Sequence, residues 1–133
     1  MQAPLRGYAP PAAVGAAVAD PSRPVVCLVG DGGFQFSLAE IGSAVDAQAQ
    51  VIFLVWNNDG YQEIESYMVD AGVTPEGVKP SAPDFLMAAK AYGVEGRRLA
   101  SVADLSQALA EAAKRKGPSL IEIHERRTSG ITA

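Results

Sequence analysis

Two unbroken apolar runs set the pattern of this chain. VVCLV at 25–29 ends in Gly30-Asp31-Gly32-Gly33, and VIFLVW at 51–56 ends in Asn57-Asn58-Asp59-Gly60. Neither run alternates, which predicts strands covered on both faces. Between them Leu38, Ile41 and Val45 recur at helical spacing, and Ser37-Leu38-Ala39-Glu40 reads as a capping box, so a helix is predicted over about 38–48. A strand, a helix and a strand in this order make a β-α-β unit with parallel strands. Both polar clusters then fall at the carboxyl ends of neighbouring strands, the edge of an open α/β sheet where ligands bind.

The flanks extend that unit. After an irregular 1–11, Pro10 or Pro11 can open a helix through the small residues of 12–20. Ile64, Tyr67 and Met68 share one face of a short helix at about 61–69. AGVTPEGVKPSAP, with two glycines and three prolines, is a loop long enough to be functional or mobile. Ser81-Ala82-Pro83-Asp84 opens a further helix that carries Phe85, Leu86, Ala89 and Tyr92 and stops at Gly93. A short strand near 97–99 leads to a helix over 102–116 that buries Val102, Leu105, Leu109 and Ala112, and SLIEIH at 119–124 is the last strand. The polar tail ERRTSGITA is expected to fray. Strands separated by helices in this order predict a mostly parallel sheet in a three-layer αβα sandwich.

Composition narrows the class. At 133 residues the chain is long enough for one domain with a real core, and 48% hydrophobic with 20% charged residues is ordinary globular usage. The net charge of -4 offers no basic surplus for nucleic acid. The one cysteine, Cys27, excludes an internal disulfide framework, fits a reducing compartment, and falls inside a strand as inert packing. No apolar run approaches the roughly 20 residues of a membrane span, and the first residues lack the apolar centre of a signal peptide. A cytoplasmic location is expected.

The two clusters complement each other chemically. Glycines let the backbone turn through positive φ and expose successive amides, a concavity that suits phosphate. Asp31 places a carboxylate among those amides, which is repulsive beside phosphate unless a cation lies between. Mg²⁺ is the natural choice, being held by one or two protein oxygens together with substrate phosphates. Asn58 offers an amide oxygen, and the Asp59-Gly60 turn offers a carbonyl. The bland alternative is that glycine and Asx residues after strands simply make turns. A complete GxGxxG dinucleotide fingerprint and a Walker A sequence are both absent.

GDG followed after 24 residues by NN resembles the thiamine diphosphate motif of thiamine-dependent enzymes. The flanking GYAPPAAVGAAVADPSRPVVCLVGDGGFQFSLAEI is similar to the acetolactate synthase and 2-oxo acid decarboxylase group, and NNDGYQEIESYM leans toward the decarboxylases, the 5-guanidino-2-oxopentanoate (2-ketoarginine) type above all. The resemblance implies a thiamine diphosphate-binding fold in which Asp31, the Asn58 side chain and the Gly60 carbonyl ligate Mg²⁺. The amides of Gly32, Gly33 and Phe34 would hold the diphosphate beside Gly30, while Asn57 shapes the turn. Tyr61 joins the cofactor set as a pocket residue, or else is core. Glu63 is the candidate proton-transfer acid, the alternative being a solvated helix face; Glu65 flanks it, and Ile64 can line the pocket wall. His124, the one histidine, falls away from both clusters in sequence and reads as structural or exposed.

The resemblance further implies that 1–133 is the C-terminal, pyrophosphate-binding domain of a larger three-domain subunit, its leading part missing. The glutamate that activates the aminopyrimidine would come from the pyrimidine-binding domain of a second subunit, making a homo-oligomer acting on a 2-oxo acid. The chain alone would then be inactive, and the faces of 12–19 and 34–45 would drive self-association. An acetolactate synthase-type carboligase, and a non-catalytic doubly wound module for a nucleotide or partner, are the competing readings.

Overall fold

A computed structural model describes residues 7–125 of the chain. Helix α1 (Ala9–Ala19) leads into strand β1 (Val25–Gly30), the short helix α2 (Asp31–Gln35), helix α3 (Glu40–Asp46) and strand β2 (Val51–Asn57). Helix α4 (Gln62–Asp70), a long loop, helix α5 (Phe85–Ala91), strand β3 (Glu95–Leu99), helix α6 (Leu105–Ala112) and strand β4 (Ser119–His124) complete the order. The four strands are all parallel and lie side by side as β1-β2-β4-β3. This is the α/β sandwich that the alternation of strands and helices predicts.

Two apolar layers hold the sheet. On one face the rings of Phe34 and Phe53 stack at 5.6 Å, Phe85 stands 5.7 Å from Phe34, and Ile41, Val51, Val55 and the small residues Ala13, Ala17 and Ala44 close the layer. The alanines let α1 and α3 approach the strands closely. On the other face α6 lays Ala108 and Ala112 against Ile52, Leu54, Ile121 and Ile123. Asp84 caps α5, its carboxylate accepting from the amides of Leu86 and Met87 at 2.9 and 3.1 Å, and Gly93 follows that helix at φ +73°.

Several local expectations fail for identifiable reasons. The strand at 25–29 is not covered on both faces: it is the outer strand of the described sheet, α6 does not reach it, and Val26 and Leu28 are 49% and 63% exposed. Ser37 caps nothing. The chain from Phe36 to Gly42 is carried by successive backbone turns, α3 begins only at Glu40, and Ser37 Oγ is buried without a hydrogen-bond partner. Residues 9–11, expected to be irregular, already belong to α1. The predicted helix over 102–116 is a 3₁₀ turn at Val102–Asp104, capped by Ser101 Oγ on the Ala103 amide at 3.1 Å, followed by α6, and Val102 is exposed. The expected fraying of the tail falls mostly outside the described residues. Among the described residues no helix is long and apolar enough to cross a membrane.

Candidate cofactor-anchoring site

The parallel register brings the ends of β1 and β2 together, with Gly30 beside Trp56. Beyond them the two polar turns interlock through Asp31. Its carboxylate is 1% exposed; Oδ2 accepts the Gly60 amide at 2.9 Å and Oδ1 accepts the Asn58 amide, more weakly, at 3.4 Å. Burial pushes the Asp31 carboxyl above the usual carboxylate range, against the opposing pull of the backbone amides of Asn58, Gly32, Gly60 and Asp31 itself. Ionising an acid held dry in this way is unfavourable unless a positive charge stands beside it.

The Asn58 side chain closes the cluster. One terminal atom of its amide lies 3.1 Å from Asp31 Oδ1 and 3.0 Å from the Gly60 carbonyl oxygen. With nitrogen in that place, the amide donates to both oxygens. After a half-turn, three oxygens converge, an arrangement that repels itself unless a positive ion lies among them. One side chain thus closes the cluster with hydrogen bonds or opens it as an oxygen ligand. Among the described residues no group of three His, Cys, Asp or Glu side chains forms a metal cage, so any cation here would rely on amide and carbonyl oxygens beside the single Asp31 carboxylate.

The glycine cluster works differently from the sequence expectation. Gly30, Gly32 and Gly33 do not adopt positive φ; Gly30 is extended (φ −75°, ψ 154°) and Asp31 starts a helical turn. Gly32 is required by close approach, because a Cβ there would overlap the Tyr61 ring. The positive φ values belong to the second turn, at Asp59 (65°) and Gly60 (134°). A Cβ at Gly60 would also stand 2.6 Å from the Val78 carbonyl, which already accepts the Tyr61 amide at 2.9 Å. The long loop is therefore pinned against the site.

A cleft of about 310 Å³ opens over this cluster, lined by Leu28, Asp31, Gly32, Gly33, Asn58, Gly60 and Tyr61, with Glu63 and Ile64 of α4 on its wall. Glu63 is exposed at the cleft, while Glu65 pairs with Lys79 at 2.9 Å. Phe34 gives its side chain to the core and leaves only its backbone near the turn. A larger depression of about 780 Å³ lies at the opposite edge of the sheet, but its lining includes Lys116 as the single charged side chain and no converging polar set.

Two residues near the site escape sequence reasoning. Glu122 of β4 is 1% exposed and bonded to Asn57 and Arg98. His124, far from the clusters in sequence, stands opposite Asn57 in register and lies 3.1 Å from Asp59 Oδ1. The available signal was SLIEIH itself, a buried strand with a carboxylate at a core-facing position.

Residues 3–123 match the family described as "Thiamine pyrophosphate enzyme, C-terminal TPP binding domain". The chain is 36% identical over 118 residues to "Probable 2-ketoarginine decarboxylase AruI" of Pseudomonas aeruginosa, covering 88% of this chain and 21% of that protein. It is 31% identical over 117 residues to the acetolactate synthase of Bacillus subtilis, covering 88% of this chain and 20% of that one. It therefore spans about a fifth of the length of these curated relatives. Among solved structures it superposes with a TM-score of 0.80 and 33% identity on the thiamine diphosphate-dependent 4-hydroxybenzoylformate decarboxylase of Rhodococcus jostii RHA1, covering 89% of this chain and 23% of that one. From its first proline-flanked helix to its last strand, the chain belongs to the thiamine pyrophosphate enzyme family, as a C-terminal domain that binds thiamine diphosphate.

Proposed function

We propose that this chain anchors Mg²⁺ and the diphosphate of thiamine diphosphate as the last domain of a three-domain 2-oxo acid decarboxylase. The observation that carries this reading is the meeting of Asp31 Oδ1, the Asn58 amide and the Gly60 carbonyl at 3.0 and 3.1 Å. Oxygens at neighbouring vertices of an octahedral Mg²⁺ shell lie about 2.9 Å apart, given ion–oxygen distances of about 2.0–2.1 Å. Asp31, Asn58 and Gly60 would hold the ion together with phosphate oxygens and water. The amides of Gly32, Gly33 and Phe34 would receive the diphosphate, with the Tyr61 ring packed on Gly32 to hold that backbone in place. Bound there, the cofactor supplies a carbon nucleophile and a sink for the electrons released with carbon dioxide. Glu63 stands at the cleft wall as the group that would hand over a proton, and Ile64 would shape the substrate side.

The glutamate that activates the aminopyrimidine would come from another domain of a partner subunit, so the chain alone should turn over no 2-oxo acid. The exposed Tyr8, Val18, Val26, Leu28 and Phe36 are apolar surface suited to the neighbouring domains and subunits of a homo-oligomer. Similarity to acetolactate synthases nearly as high as to the decarboxylase supports a carboligase as the second reading, and product analysis of the complete enzyme separates the two. Calorimetry with Mg²⁺ and thiamine diphosphate tests the anchor. Binding should weaken at least tenfold in both Asp31→Ala and Asn58→Ala, in line with the loss of a direct ligand; equal binding by wild type and both variants would remove the basis of the clamp.

A further inference from the structure

The Asn57-Asn58-Asp59-Gly60 turn needs something to hold it, because Asp59 and Gly60 are both at positive φ. Besides the bonds to Asp31 and His124, it is held by a chain of polar contacts running from β3 across β4 to the end of β2. Arg98 of β3 lies opposite Glu122 of β4 in register, and its Nε and Nη2 both lie 2.8 Å from Glu122 Oε2. Arg98 Nη2 is also 3.8 Å from Asp84 Oδ1 at the start of α5. With Oε2 taken by the guanidinium, Glu122 Oε1 is left for Asn57, whose Nδ2 donates to it at 2.8 Å. That bond fixes which way the Asn57 amide faces. Its oxygen must then point the other way, and there it accepts the Asp59 amide at 3.1 Å.

We propose that Glu122, held by Arg98, is a positioning residue for the cofactor-anchoring turn: by fixing the orientation of the Asn57 amide it supplies the acceptor for the Asp59 N–H and so sets where Asn58 and Gly60 face Asp31. The chemistry requires an ionised or otherwise acceptor-only group at this place. A carboxylate accepts from Arg98 and from Asn57 at once. A glutamine does not: its oxygen turns to the guanidinium, and its NH₂ then meets the Asn57 NH₂. Asn57 relieves the clash by flipping its amide, which turns a donor toward the Asp59 N–H and leaves that amide without its acceptor. Groups behind a metal-binding shell act in this way, orienting ligands they do not replace. The functional consequence rests on the proposed Mg²⁺-diphosphate anchor; the orienting role does not.

The test uses the 133-residue chain and nuclear magnetic resonance, with no metal in the first stage. In Glu122→Gln, exchange of the Asp59 amide should quicken at least tenfold relative to wild type, while the Phe53 and Leu54 amides within β2 stay protected. In the second stage Mg²⁺ alone is titrated against the amides of 58–60, and the variant should bind about 10–100-fold more weakly. The pair swap Glu122→Gln with Asn57→Asp keeps the charge and restores a donor–acceptor match, since the new carboxylate accepts from both the glutamine NH₂ and the Asp59 N–H. It should return the Asp59 exchange to near the wild-type rate, a rescue that a loss of general packing would not show. Unchanged Asp59 exchange in Glu122→Gln, or a swap no better than the single change, overturns the inference. If Glu122→Gln does not fold, the wild-type chain decides: the Asn57 Nδ2 protons should exchange at least tenfold more slowly than the side-chain amide protons of the exposed Gln48, and equal rates overturn the orienting role. Wild-type amides at 58–60 that ignore Mg²⁺ count against the anchor itself, with the metal-free exchange still deciding for or against Glu122.

Discussion

The two strand-end turns perform one task with opposite physics. The turn after β1 is held by apolar packing: Asp31 is carried on a short helix whose Phe34 is buried among Phe53 and Phe85, and Gly32 is pressed under the Tyr61 ring. Its backbone is unstrained, with no positive φ between Gly30 and Gly33. The turn after β2 is held by polar contacts and carries the strain: Asp59 and Gly60 are left-handed, Asn57 is bonded to Glu122, and the Val78 carbonyl crowds Gly60. The first turn thus supplies a carboxylate whose place is set by the core, and the second supplies neutral oxygens whose place is set by hydrogen bonds. The proposed cation site would need one fixed charge and a partner able to reorient, and Asn58 is on the side where reorientation is local.

The comparison predicts different failures on the two sides. Removing the anchor of the first turn should be the costlier change. Phe34→Ala takes a fully buried ring out of a three-ring cluster and should lower unfolding free energy by about 3–5 kcal/mol, read by denaturant melts. A loss below about 1 kcal/mol would mean that the core does not hold Asp31 in place. On the second side, Gly60→Ala forces a side chain into φ 134° and against the Val78 carbonyl at 2.6 Å. The cost should be about 1–3 kcal/mol, with Val78 and the long loop shifting in amide spectra while the Phe34 cluster stays put.

Legibility in the sequence follows the same division. β2 and β4 were readable because their burial is continuous and bounded by turn residues. The meeting of Asp31 with Asn58 and Gly60 was readable because a β-α-β unit forces neighbouring strand ends together. β1 misled, since an apolar run does not reveal whether anything lies over its outer face, and Val26 and Leu28 are exposed. The glycines of the first turn misled through a local rule: they suggest positive φ, whereas Gly32 is needed for contact with Tyr61, which is not a sequence neighbour. Glu122 and His124 were hidden most deeply. Their partners Asn57 and Asp59 are each 65 residues away along the chain, and only the parallel register of β2 with β4 brings them together.

The smallest expected effect has a sign that sharpens the contrast. Burial holds the Asp31 carboxyl above its ordinary value of 3.8, so the native chain keeps that proton more tightly than the unfolded chain does. A carboxyl with a raised native pKa binds more protons folded than unfolded between the two values, and its contribution to stability therefore falls as pH rises through that window. Above that window, without metal, ionised Asp31 is a net cost to the fold. Asp31→Asn removes the charge, keeps an oxygen for the Gly60 amide, and gives the Asn58 amide oxygen a donor, at the loss of the weak 3.4 Å bond from the Asn58 backbone N–H. It should stabilise the metal-free chain by about 1 kcal/mol at pH 7, with the gain shrinking as pH drops through the window toward 3.8. Adding Mg²⁺ with thiamine diphosphate should reverse the order, raising the wild-type melting temperature and leaving that of the variant unmoved. Thermal melts over pH with and without Mg²⁺ measure both halves. A variant less stable than wild type in the absence of metal would show that the four backbone amides, rather than a cation, already satisfy the buried carboxylate, and that the first turn is structural in its own right.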